Sequence, residues 1–198
     1  MLNTLFHSPE FWDDGTYRVK VKTPLEFVVS AVRATGAEVD DAMPLVRQLN
    51  NMGMPLYGAQ PPTGYSMKAE TWVSSSALLN RMNFALSLTG GKIKGAKVDV
   101  AQLSGSTPPS PDSALTLSTL ETRLLAGGVS KQTHDSIEAQ IETPGKNTAP
   151  EKQNQDQNQN KEKQDAKPGQ RKPGDASRPP DASTIAGLLL GSPEFQKR

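Results

Sequence analysis

Thr23-Pro24-Leu25-Glu26-Phe27-Val28-Val29-Ser30-Ala31-Val32-Arg33-Ala34-Thr35-Gly36 decides the fold class, because helix signals stand there in their proper order. Thr23 and Glu26 form a capping box, in which each side chain can bond the other's backbone N–H. Pro24 takes the first helical position, where its missing N–H costs nothing. Leu25, Val28, Val29 and Val32 follow at helical spacing. Gly36 supplies a left-handed stop. The stretch predicts a helix over 24–35.

Working outward, Asp40 or Asp41 caps a second helix with Ala42, Leu45, Val46, Leu49 and Met52 on one face and Gly53 as terminator. Pro44 is tolerated there in the first turn. Upstream, Ser8-Pro9-Glu10 reads as a helix start with Phe11 and Trp12 as anchors. Between Met54 and Ser66, three prolines and two glycines forbid a helix. Leu56, Tyr57 and Tyr65 are too apolar for a free linker, so this stretch is expected to be an ordered loop. A long helix over 68–88 follows and ends at Gly90-Gly91. Residues 92–114 read as a weakly structured linker. Two short helices are expected within 115–142, the first carrying a second capping-box pattern, Ser118-Thr119-Leu120-Glu121, and the second capped by Ser130. From 143 to 180 the composition changes. No Leu, Ile, Val, Met or aromatic residue stands between Pro144 and Pro180, so nothing there offsets the entropy of ordering, and a disordered low-complexity insert is expected. Order returns over 181–198 as a C-terminal helix and tail. The fold class is mainly α, an irregular set of about five to seven helices, with residues 1–91 as the helical core segment.

The whole-chain numbers fit that division. Hydrophobic residues make up 34% of the 198, and there are sixteen Pro and sixteen Gly. Nine of the ten aromatics precede Leu86, and Phe195 is the exception. Aromatics supply much of the area a core buries, so the core is expected within the first 90 residues. A net charge of +1 creates no field that would recruit nucleic acid. With no Cys there is neither a disulfide framework nor a thiolate site. No apolar run approaches the roughly 18 residues of a membrane span. Met1-Leu2-Asn3-Thr4 lacks the basic and then apolar regions of a signal peptide.

The chemistry-bearing residues concentrate on the third helix. A wheel over residues 72–88 is apolar nearly all round, with one polar stripe of Trp72, Ser76, Asn80, Asn83 and Ser87. Arg81 falls among Ala77, Ala85 and Leu88, where a guanidinium needs a carboxylate, a set of carbonyls or a bound anion. An internal network locking the helix to its neighbours is the first reading. The alternative is a pocket for a small polar or anionic ligand lined by Asn80, Arg81 and Asn83, with Gln60, Thr63 and Tyr65 contributed by the stiff loop before it. His7, Glu10, Asp13 and Asp14 lack metal-ligand spacing, and His134 is remote from them. Ser74, Ser75 and Ser76 lack the context of a nucleophile elbow. No cofactor or metal is expected.

Ser8-Pro9-Glu10-Phe11-Trp12 recurs in part as Ser192-Pro193-Glu194-Phe195. With Lys22-Thr23-Pro24-Leu25-Glu26-Phe27-Val28, Gln60-Pro61-Pro62-Thr63-Gly64-Tyr65 and Leu79-Asn80-Arg81-Met82-Asn83-Phe84, the chain resembles the C-terminal part of the bacterial domain-of-unknown-function 1800 family. The resemblance is close over 1–90 and looser over 115–142 and 181–198. It implies a mainly α-helical domain more than twice this length, often found in exported proteins. From it comes the expectation that this chain is a truncated or split product whose partner is the N-terminal part of the same domain. A non-catalytic structural or interaction segment is the leading functional expectation, and part of an enzyme the alternative.

Overall fold

The computed structural model of the chain describes residues 1–13, 15, 18–105, 113–126, 128–142 and 181–198, with only the backbone of 142. The expected insert, 143–180, and residues 106–112 of the expected 92–114 linker lie outside the described residues. Eight α-helices and one two-stranded pairing are described, so the mainly α class holds: α1 Leu2–Phe6, α2 Pro24–Ala34, β1 Glu38–Val39, α3 Met43–Asn51, α4 Ser75–Thr89, β2 Ala96–Lys97, α5 Val100–Ser104, α6 Ser113–Leu125, α7 Lys131–Glu142 and α8 Ala182–Gly191.

α2 forms as its residues dictate. Thr23 Oγ1 accepts the Glu26 N–H at 3.4 Å while Glu26 Oε2 accepts the Thr23 N–H at 2.8 Å, completing the capping box. Pro24, Phe27, Val28 and Ala31 are buried along one face. Gly36 takes φ +60, so the Ala37 N–H turns back to the Val32 carbonyl and closes the helix end. α3 ends the same way at Gly53, φ +81, with the Met54 N–H on the Leu49 carbonyl. Its cap position is Ala42, and Asp41 helps from one residue further out, accepting the Met43 N–H at 2.9 Å. β1 and β2 run antiparallel, pairing Glu38 with Lys97 and Val39 with Ala96. β2 and α5 give residues 96–97 and 100–104 regular structure within a stretch that the sequence reads as weakly structured.

Four expectations are corrected. The helix expected over 68–88 is broken: a 3-10 turn at Ala69–Thr71 stops at Trp72, and α4 begins only at Ser75. Ser74 Oγ accepts the Ala77 N–H and caps the new start. Trp72 is buried, donates Nε1–H to the Ser66 carbonyl and stands edge-on to Tyr65, so it anchors the preceding loop. Secondly, Ser118-Thr119-Leu120-Glu121 lies inside α6 and caps nothing; the Ser118 hydroxyl donates to the Leu115 carbonyl. Thirdly, Phe11 and Trp12 are exposed, Trp12 by 70%, because their 3-10 turn at Pro9–Trp12 meets no buried surface. Finally, Tyr57 of the 54–66 loop points fully into solvent.

The largest difference concerns the core. One cluster joins Phe27, Phe84 and Leu88 from the first half to Leu117, Leu120, Ile137, Ile185, Leu189, Leu190 and Phe195 from the second. The core is therefore not confined to the first 90 residues. α8 packs most extensively on α4 and next on α6. Two glycines permit that closeness. A Cβ on Gly187 would lie 2.7 Å from Leu86 Cδ2 and 3.0 Å from Leu86 Cα, and one on Gly191 would meet Met82 Cε and Sδ at 2.5 Å. Phe195 then reaches Phe27, ring centroids 5.9 Å apart, and Phe27 touches Phe84 at the same separation. Beyond Phe195 the tail pairs antiparallel with residues 20–22 through Val21 and Lys197.

Candidate functional site

Arg81 is the most deeply buried charge among the described residues, with 1% of its surface exposed. Its place follows from α4, whose buried face carries Arg81, Phe84, Ala85 and Leu88 at helical spacing. No carboxylate pairs with it among the described residues. One terminal nitrogen donates to the Lys22 carbonyl at 2.8 Å and the other to Gln196 Oε1 at 3.3 Å. The guanidinium lies 5.3 Å from the Phe27 ring centroid, within cation–π range. Desolvation lowers its pKa below the ordinary arginine value. Gln196 in turn donates Nε2–H to the Gly191 carbonyl at 2.9 Å. Of the three partners that a buried guanidinium can take, the structure supplies oxygen acceptors from the protein itself. Arg81 ties the 20–22 segment and the C-terminal tail to α4.

Charged groups near this tie are arranged with care. Lys22 Nζ donates to the Phe195 carbonyl at 2.7 Å and sits 4.0 Å from the Phe195 ring centroid. Burial lowers its pKa, and Arg18 adds to the effect. Burial works to raise the Glu26 carboxyl, but the hydrogen bonds from Thr23, with Arg198 at 2.8 Å, outweigh it and hold the pKa below the usual value.

The polar stripe on the other side of α4 opens onto a cleft. Asn80, Asn83, Phe84 and Ser87 face Gln48 and Asn51 of α3 across a volume of about 510 Å³. Asn80 Nδ2 donates to the Asn51 carbonyl at 2.9 Å, linking the two walls. The structure thus brings Asn80 and Asn83 together and turns Arg81 away from them. Gln60 and Thr63 are exposed on the 54–66 loop, and the Tyr65 hydroxyl donates to the Pro55 carbonyl within that loop. None of the three lines the cleft. Ser87 belongs to the stripe read from the sequence. Gln48 and Asn51 carried no such signal, because amides on an exposed helix face are commonplace.

A second opening, of about 420 Å³, lies where α7 meets the end of α8. Glu194 lines it and accepts from the Ser130 N–H at 3.3 Å and the Thr133 hydroxyl at 2.9 Å. Its carboxylate thereby fastens the start of α7 to the tail. His134 Nδ1 stands 2.8 Å from Glu121 Oε1 and joins α7 to α6. Among the described residues no three His, Cys, Asp or Glu are grouped to hold a metal, and no helix is long and apolar enough to cross a membrane.

A family model described as "Protein of unknown function (DUF1800)" matches residues 1–197. No curated protein and no solved structure matches the chain.

Proposed function

The chain belongs to the DUF1800 family, and from that premise we propose that it is a non-catalytic structural and interaction segment of a larger helical bacterial protein. In this reading its N-terminal apolar surface docks on the rest of the family's helical domain. One observation carries the proposal: α1 and the 3-10 turn after it bury none of their residues. Leu2 is 70% exposed, Leu5 and Phe6 48%, Phe11 40% and Trp12 70%. The three aromatics nevertheless pack edge to face, Phe6 on Phe11 and Phe11 on Trp12, each pair with centroids 5.2 Å apart. The Trp12 indole donates to the Phe6 carbonyl at 2.7 Å and holds the cluster in shape. An ordered aromatic cluster facing water is the pattern of a binding hot spot. Because these side chains are already partly covered, a partner that buried the rest of each would gain roughly 1–2 kcal/mol per side chain.

The test combines sedimentation with a hydrophobic dye. Wild-type chain should bind the dye or self-associate, and Phe6→Ser combined with Phe11→Ser and Trp12→Ser should abolish both. Cooperative unfolding should survive in the triple variant, because none of the three side chains is buried. A monodisperse wild-type monomer that binds no dye would overturn the reading.

A further inference from the structure

We infer that the cleft between α3 and α4 binds a neutral saccharide through side-chain amides. Its lining consists of Gln48, Asn51, Asn80, Asn83, Ser87 and Phe84, so no titratable side chain is present. A primary amide offers paired donors beside an acceptor in one plane, and a hydroxyl is itself both donor and acceptor. Four amides and a hydroxyl around one opening therefore match vicinal hydroxyls, and they offer nothing to neutralise an anion or a cation.

Placement adds to composition. Asn80 is held in one orientation by its bond to the Asn51 carbonyl. That bond uses one of its two N–H donors and leaves its carbonyl oxygen as an acceptor. The side chains of Gln48, Asn51, Asn83 and Ser87 make no hydrogen bond to another described residue, so their donors and acceptors remain for a ligand. Gln48 and Ser87 are half-buried. At about 510 Å³ the cleft lies within the size range of small-molecule sites. The inference is independent of the interaction reading, whose residues lie in the first twelve.

The experiment is a titration of the whole chain, following the side-chain amide resonances by NMR. Cellobiose and maltose are the neutral probes; glucuronate and inorganic phosphate are the charged ones. Expected are saturable shifts at the amides of Gln48, Asn51, Asn80 and Asn83 with a neutral disaccharide. The Kd should be on the order of 1 mM, as suits an open site with few contacts. Gln48→Ala with Asn83→Ala should weaken that binding at least about tenfold. Because neither residue belongs to the core, the unfolding midpoint should not move. Absence of shifts with both disaccharides, shifts elsewhere on the chain, stronger shifts with glucuronate or phosphate, or binding retained in the double variant would each overturn the inference. Should the double variant misfold, the position of the wild-type shifts alone decides.

Discussion

Replacing Arg81 tests whether its buried charge serves the fold. In wild type the guanidinium makes a 2.8 Å bond to the Lys22 carbonyl, a longer 3.3 Å bond to Gln196, and a ring contact with Phe27. Its Nε is a buried donor with no acceptor among the described residues. Arg81→Met keeps most of the aliphatic stem and removes the charge. The short bond is worth about 1.5–3 kcal/mol and the longer one less, both being charge-assisted. Against them stands the cost of burying the guanidinium, several kcal/mol that Met no longer incurs. Two stranded acceptors should still leave a net loss of about 2 kcal/mol. Arg81→Ala also opens a cavity in the core, which adds about 2–3 kcal/mol and brings the total to about 4–5 kcal/mol. The assay is urea unfolding of wild type and both variants, with unchanged m-values to show that the same transition is being compared. The ranking, alanine worse than methionine and methionine worse than wild type, is the expected outcome. An Arg81→Met protein as stable as wild type or more so would refute the clamp and return Arg81 to the role of an anion-binding group.

Three further outcomes follow from the packing. Gly187→Ala gains about 1 kcal/mol in helix propensity, yet its methyl group would lie 3.0 Å from the Leu86 backbone. A net loss of about 1–3 kcal/mol is expected from overpacking, and thermal unfolding would show it as a lowered midpoint. His134 has its pKa raised by the hydrogen bond to Glu121, with Glu138 and Asp135 adding to it. Its contribution is therefore fully present below the unfolded value of about 6.5 and fades as pH rises through the folded one; His134→Gln should flatten that limb of a stability–pH curve. Burial tends to raise the Glu194 carboxyl, but the hydrogen bonds from Ser130 and Thr133 prevail and lower it. Stability from this group is present above the unfolded value of about 4.3 and is lost as pH falls through the folded one. Glu194→Gln should remove that acid-side loss and loosen α7, which protease susceptibility near Ser130 would report.

Local signals made much of this protein legible. α2, α3 and α8 begin and end close to where Thr23, Gly36, Gly53 and Asp181 place them, because a cap is a contact between residues three or four apart. The family, too, could be read from short motifs. Local reading failed where two local choices competed. Trp72 carries helix spacing, but its indole found the Ser66 carbonyl, and the helix restarted two residues later on Ser74. Ser118 to Glu121 has the letters of a cap, yet Ser118 bonds back to Leu115 inside a longer helix, and Glu121 serves His134.

Other features depended on distance. Composition alone says that Arg81 needs acceptors and that Asn80 and Asn83 need partners or water. Only the packing of α8 on α4, made possible by Gly187 and Gly191, brings Gln196 within reach of a guanidinium 115 residues earlier. The same packing puts the single late aromatic, Phe195, beside Phe27. A helix wheel states which side chains share a face, but burial is decided by what covers that face. Here the cover comes from the far end of the chain, and no local pattern around Arg81 encodes it.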